Sequence, residues 1–549
     1  MPETGVVNHK FLPEAWSSLT RVLGAAGAAR ALRCATLALL ALGFLLRARG
    51  YLFSTIPLSL DEADWALRLF EQPLAEHLIR PPGFMALSKA LTAMVSRSEA
   101  GLRFIPWGAG VAALFMTPAL ARRLFKSAGA QLFCVAAIAL QPAAIDLSKE
   151  FKPYSLGFFL HLLLILLVLR YVSSKKGSDL AWLLAVALPA VLFSQDIIFA
   201  YPAVFLIPAL EALRARNTRH LVATALMGLA SFALVLLLYV FIWSRLDMKA
   251  ETPYWGHKYD VFYVGESRGA LAHVGWFFDR YLDITHLPAQ RAEVWTSPAL
   301  SSATLSQVRR VDLYVWFALH VVGLIVIVVR RRFREGALLY SPFLVLVAAN
   351  FLGAFPLGSF RTDFFLVAYI VPIAAFAFER SEQRSHWWDL VPATVLLVVP
   401  LLVFEKDWHA DKTYFSWRAA FPQTFSTLLM LMDQSGQTAR GTLALDGRSC
   451  TGWNYYSKYN PAFMRDVAPK ILKRLEPRCV DAENERAAIA ALFHEIPQDE
   501  GPEAGDWFAL FADQSLFQYA KRTVPRDHEV VSEANIGRWQ FVLGIKRKP

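Results

Sequence analysis

The sequence predicts a polytopic α-helical membrane protein of about eleven transmembrane helices, followed by a small α/β domain. Three observations predict it. Hydrophobic residues make up 55% of the 549-residue chain and charged residues only 18%, where a soluble domain carries roughly a quarter charged. The apolar residues lie in blocks of about 17–25, the length that crosses a bilayer. After Glu405 the composition turns into that of a soluble domain of ordinary size. Mean hydropathy is +0.36. An ordinary soluble enzyme is disfavoured, and a disordered or collagen-like chain more so.

In chain order, residues 1–30 form a mixed cytoplasmic segment that ends in a basic, alanine-rich stretch with Arg21, Arg30 and Arg33. The apolar block Cys34–Leu46 lies too far from the terminus for a signal-peptide core, so a signal anchor is expected. Further spans are expected near residues 104–121, 130–147, 153–172, 180–194, 197–213, 220–243, 312–329, 337–355, 364–379 and 388–404. Together these make a transmembrane domain over residues 31–404.

Charge then orients the spans. With residues 1–30 inside, the inner connections carry Arg122, Arg123 and Lys126; Lys175 and Lys176; Arg214, Arg216 and Arg219; Arg330, Arg331, Arg332 and Arg334; and Arg380 and Arg384. Short basic inner connections are what the positive-inside rule requires. The net charge of +11, which in a soluble protein would suggest nucleic acid, therefore reads mainly as a topology signal. The outer connections, about 47–103 and 244–311, and the extracytoplasmic domain 405–549 hold most of the motif-like sequence. Chemistry is expected on that face.

In the last domain, Thr442–Asp446, Trp507–Phe511 and Trp539–Ile545 read as strands and Ala482–Phe493 as a helix. Cys34 and Cys134 fall within spans, where cysteine behaves as a small apolar residue. Cys450 and Cys479 either form a disulfide in an oxidising compartment or remain free thiols. Trp453–Tyr459 is an aromatic cluster that either packs or meets a glycan; packing is favoured.

The run Leu58-Ser59-Leu60-Asp61-Glu62-Ala63-Asp64-Trp65 places three carboxylates within four residues at a membrane boundary. They are costly there unless solvated or used. They read either as a wetted helix N-terminus, where the dipole favours acids, or as a site. Arg80-Pro81-Pro82-Gly83-Phe84 follows, then Glu99-Ala100-Gly101-Leu102-Arg103, and later Glu150-Phe151-Lys152-Pro153-Tyr154 and Phe355-Pro356-Leu357-Gly358-Ser359-Phe360-Arg361.

Taken together these motifs resemble the GT-C superfamily of membrane glycosyltransferases. Within it they look like the branch of the dolichyl-phosphate-mannose protein mannosyltransferases and bacterial polyprenyl-phosphate sugar transferases. That family's pattern is an Asp-Glu pair after the first helix, a Pro-Pro-Gly segment, and Glu-x-x-Leu-Arg leading into the second helix. The resemblance covers roughly residues 35–380. Lys152 stands where the family more often has arginine, so a point charge replaces a bidentate fork.

The resemblance implies a sugar donor linked through phosphate to a polyprenyl chain, and an acceptor hydroxyl. Asp61 would take the acceptor's proton. Glu62 would be a supporting acid. Glu150 would orient the acceptor, or pair structurally with Lys152. The transition state would be oxocarbenium-like, and fixed cations would meet the charge developing on the phosphate. Candidates are Lys152, Arg361, Arg80 and Lys149, with Arg280 also on the outer face. For each, snorkelling toward lipid headgroups is the competing reading. His257 and His286 fit no ligand spacing and are expected to be solvated or stacked. The aromatic Tyr254, Trp255, Tyr259 and Trp276 suit a sugar platform or an interfacial belt.

The expected function is inverting transfer of a hexosyl or pentosyl group from polyprenyl phosphate to a glycan, lipid or protein acceptor, in a bacterial inner membrane. The reading requires no cofactor and leaves room for a divalent metal. Membrane lipids are partners and nucleic acid is not. The rivals are a transporter or lipid flippase, and a GT-C-like scaffold without catalysis.

Overall fold

The computed structural model describes residues 11–49, 51–52, 57–73, 80–245, 270–289, 302–359, 361–379, 420–434, 441–479, 507–511, 514–524, 526, 528–535 and 541–547. The protein is a multi-pass, mostly helical chain with a small sheet near its C-terminal end. It divides into two compact units. The first comprises Met1–Arg49, Pro106–Lys149 and Pro153–Glu405; the second comprises Gly50–Ile105, Glu150–Lys152 and Lys406–Pro549.

In the first unit every expected span except 388–404, which lies outside the described residues, coincides with a helix. Six helices among the described residues are long and apolar enough to cross a membrane, and a seventh span arises if the bent pair Ala128–Leu140 and Pro142–Lys149 counts as one. Gly177–Phe193 and Phe364–Phe378 are shorter apolar helices.

The bend of 50° has a local cause. Pro142 has no N–H, so the carbonyl of Ile138 loses its helical donor. Arg47, fully buried at the end of the Phe11–Arg49 helix, replaces it: Nη2 donates to Ile138 O at 2.8 Å, and Nη1 to Ala139 O at 3.2 Å and Gly43 O at 2.9 Å. Gly43 itself lies against Ala139, so the two helices approach closely there.

Small residues set another approach. A Cβ on Gly323 would collide with the backbone carbonyl of Ile373, so the Ser302–Val329 and Val367–Ala375 helices meet backbone to backbone at this point. A buried polar cluster lies between other helices. His161 Nδ1 is 2.6 Å from Tyr369 Oη, His161 Nε2 is 3.7 Å from Asp196 Oδ1, and Gly157 leaves room for that carboxylate.

Three connections close in the same way. Lys175, Arg216 and Arg331 have φ of 56°, 55° and 55°, a left-handed conformation that glycine usually supplies at helix ends.

The second unit contains a five-stranded sheet in the order β2-β1-β3-β5-β4. Its strands are β1 Gly441–Leu445, β2 Leu475–Cys479, β3 Trp507–Phe511, β4 His528–Asn535 and β5 Phe541–Arg547. β1 pairs in parallel with β2 and β3, whereas β5 pairs antiparallel with β3 and β4. Ala444, Ala509, Phe517, Ala520, Phe541, Leu543 and Ile545 form its core. The expected strands appear as β1, β3 and β5. β2 and β4, which the sequence did not suggest, are the two edges. β2 carries Pro477 and β4 is largely polar, as edge strands tolerate and central strands do not. The expected helix Ala482–Phe493 lies outside the described residues. Cys450 and Cys479 are disulfide-bonded, with Cα atoms 5.5 Å apart.

Candidate active site

The site is built on the short helix Leu60–Glu71, here called the acidic helix. Ser59 caps its N-terminus by accepting from Glu62 N at 3.2 Å, and the Glu62 carboxylate accepts from Ser59 N at 2.9 Å. This reciprocal capping box fixes the turn that presents Asp61.

Glu62 is fully buried and its oxygens are crowded with donors. Arg103 donates to it through Nε and Nη2, both at 2.9 Å, and Phe151 N donates at 2.6 Å. Arg103, 2% exposed, also reaches Pro57 O at 2.9 Å. A bidentate, hydrogen-bonded buried pair of this kind holds geometry firmly. It brings the segment Glu150–Lys152 beside the acidic helix.

Asp61 is the opposite kind of acid. Its side chain is 52% exposed, and Lys152 Nζ lies 2.8 Å from Oδ1 while being itself only 3% exposed. Lys152 also sits 3.8 Å over the ring of Trp65, one helical turn beyond Asp61, and Arg80 lies 4.4 Å over the same ring. Arg80 pairs with Asp64 at 2.8 Å, and Asp64 with Arg68 at 2.8 Å. Trp65 packs edge-on against Phe84 and Phe151. One aromatic ring therefore organises two cations and two carboxylates, since i, i+3 and i, i+4 positions share a helix face.

Burial pushes the Lys152 ammonium below its usual range, against the opposing pull of the Asp61 and Glu150 carboxylates; Arg80 adds to the lowering. Burial also lowers Arg80, with Asp64 opposing. Glu150 is fully buried, and its carbonyl accepts from Lys152 N at 2.7 Å. The Lys152 ammonium reaches Asp61, so the expected Glu150–Lys152 pairing is confined to this backbone bond and to charge at a distance.

Thus Asp61, Glu62, Glu150, Lys152 and Arg80 are gathered in the second unit. Lys149 and Arg361 belong to the first unit. Lys149 is buried at the end of the short helix Leu147–Lys149. Arg361 is part of the turn in which Asp363 accepts from Gly358 N at 2.6 Å and Ser359 N at 2.9 Å.

His286 departs from the expectation of a solvated or stacked ring. It is 1% exposed and its Nε2 lies 2.9 Å from Asp312 Oδ2, because the turn after the Ala270–Thr285 helix folds it inward beside an acid. Nearby, Arg280 pairs with Asp283 at 3.2 Å. Trp276 is buried against Phe277 rather than offered as a platform. His257, Tyr254, Trp255 and Tyr259 lie outside the described residues. Among the described residues no three His, Cys, Asp or Glu side chains converge as a metal ion would need.

Trp65, Asp64 and Arg103 lie within the sequence motifs, and the structure adds them to the site. The i+4 spacing from Asp61 to Trp65 and from Asp64 to Arg68 was the signal for the first two. Arg103 had no local signal: the acid one turn before it on its own helix is Glu99, yet its partner is the distant Glu62.

No protein-family model matches the chain, and no curated protein matches it. Solved structures similar to it include ArnT from Cupriavidus metallidurans bound to undecaprenyl phosphate, at 13% identity over 95% of this chain and 98% of that one, with a TM-score of 0.45. The same protein in the apo state gives 14% identity, 94% and 98% coverage and a TM-score of 0.38. The apo oligosaccharyltransferase of Archaeoglobus fulgidus gives 14% identity over 91% of this chain and 69% of that one, with a TM-score of 0.42. At these identities and scores no residue or ligand transfers from any of them.

Proposed function

We propose that this protein is a GT-C-type glycosyltransferase that moves a sugar, with inversion, from a polyprenyl-phosphate donor to a hydroxyl acceptor on the extracytoplasmic face of a bacterial inner membrane. The observation that carries the reading is the Asp61–Lys152 pair: an exposed carboxylate whose partner is a buried ammonium, 2.8 Å away. An exposed acid can meet an acceptor, and a buried cation beside it can meet a phosphate.

The chemistry follows from that arrangement. The acceptor oxygen attacks C1 as its proton passes to Asp61. The bond from C1 to the phosphate oxygen breaks, and its electron pair stays with the phosphate, where Lys152 and Arg80 meet the charge. On the motif resemblance alone, Lys149 and Arg361 of the first unit are proposed as phosphate-binding residues. Before donor binds, the Lys152 ammonium lies against Asp61 Oδ1. A donor phosphate competes for the same ammonium and so releases the carboxylate when it is needed. Glu62, enclosed by donors, keeps the turn in place, and Glu150 adds negative charge behind Lys152.

The test uses the full chain in lipid nanodiscs, tritiated polyprenyl-phosphate mannose, glucose and arabinose as donors, and envelope membranes lacking the protein as acceptor. The intact protein should transfer label from at least one donor. Asp61→Asn should lower transfer by at least about a hundredfold with unchanged folding. No transfer from any donor by the intact protein, or near-normal transfer by the variant, overturns the reading.

A further inference from the structure

The helix Gly447–Tyr459 of the C-terminal region, here called the clamp helix, meets the acidic helix at both ends. Tyr456 accepts from the backbone N–H of Leu58 at 2.8 Å, across 398 residues of sequence. Leu58 immediately precedes the Ser59 cap, and Leu58, Ser59 and Tyr456 are all buried. At the other end, Lys458 pairs with Glu71 at 2.8 Å and the ring of Tyr459 lies 4.8 Å from that of Phe70. Asn460, just past the clamp helix, donates to Glu99 at 2.6 Å. The Cys450–Cys479 disulfide ties the clamp helix to β2.

Two physical facts give this weight. A helix of 12 residues is marginal in isolation, so its position is set by what packs on it. A buried N–H in front of the cap must find an acceptor, and the acceptor here is a side-chain phenol. Burial, together with the Glu99 carboxylate, holds the Tyr456 hydroxyl well above the usual tyrosine range, so it stays a neutral phenol.

We infer that Tyr456 is a positioning residue for Asp61, acting through the Leu58–Glu62 turn, and that the C-terminal region therefore serves the active site. The inference rests on the reading of Asp61 as the base. Tyr455 supplies the control. It is equally buried and neighbours Tyr456 on the same helix, but its hydroxyl donates to Arg97 O at 3.3 Å, away from the turn.

The experiment compares Tyr456→Phe and Tyr455→Phe in full-length protein. Hydrogen exchange over residues 57–65 is read alongside kcat and KM on whichever tritiated donor the intact protein uses. Tyr456→Phe should speed exchange at Leu58 and lower kcat between about tenfold and a hundredfold, as a misplaced catalytic group does, with donor KM within twofold. Tyr455→Phe should leave kcat within twofold. Unchanged exchange or unchanged kcat in Tyr456→Phe overturns the inference, as does an equal loss in both variants, which would mark plain packing. Exchange does not depend on the enzymatic reading. Full transfer by Asp61→Asn would remove that reading while leaving the exchange result standing.

Discussion

Asp61 and Glu62 are adjacent in sequence and opposite in circumstance. One is half exposed with the Lys152 ammonium beside it; the other is sealed among Arg103, Ser59 N and Phe151 N. Their substitutions should therefore differ. Glu62→Ala leaves Arg103 buried without its carboxylate, which costs about 3–5 kcal/mol, and should lower the thermal midpoint and the yield. Asp61→Asn should lower the thermal midpoint less than Glu62→Ala does, since the carboxylate lost is half exposed and the Lys152 ammonium keeps its contact with the Trp65 ring. Differential scanning fluorimetry of both checks this, and equal losses would contradict it. Lys152 adds a pH prediction. Its ammonium loses its proton below the ordinary lysine value of 10.5, so transfer should fall on an alkaline limb that begins below that value. The sign for stability is the reverse. Deprotonation removes the cost of a buried charge, so this group favours the fold more as pH rises toward 10.5. The alkaline limb is then loss of a phosphate contact rather than unfolding. In Lys152→Arg the limb should move upward, because guanidinium stays charged. A limb that does not move would separate Lys152 from the phosphate.

At the scale of elements, the connections that the charge pattern placed inside are also strained. Lys175, Arg216 and Arg331 occupy left-handed backbone that a side chain adopts at a cost. Arg216→Gly should relieve that strain and stabilise the fold by about 0.5–1 kcal/mol, measured as a rise in thermal midpoint; a fall would show that the side chain contributes more than the strain it costs. Gly323 lies at the other extreme. Gly323→Ala drives a methyl into the Ile373 carbonyl and should separate the two helices, lowering the midpoint. Elements were also legible to different degrees. Spans announced themselves by length and hydropathy, and central strands by apolar content. β2, with Pro477, and β4, with its charged residues, were hidden because an edge strand is selected to look unlike a strand. The turn of Asp61 and Glu62 was visible as a helix N-terminus, and a capped helix starts there.

Across the whole molecule, sequence reading worked for the hydropathy blocks, whose determinants are near one another in the chain and which coincide with helices. It could not find the Glu62–Arg103 pair as a pair, nor the Leu58–Tyr456 bond, because contact between residues 41 and 398 positions apart leaves no periodic trace. The function of the region after Glu405 was unreadable for the same reason.

The Leu58–Tyr456 bond has a consequence in time as well as in space. In a chain emerging from the ribosome, the phenol that accepts from the acidic turn is made 398 residues after it. The acidic turn of a nascent chain is therefore unfastened while the spans are being inserted. On the proposed function, transfer should begin only after the region that carries Tyr456 has folded. Membranes bearing a chain stopped at Glu405 should show rapid exchange at residues 57–65, because the acceptor for the Leu58 N–H is then missing.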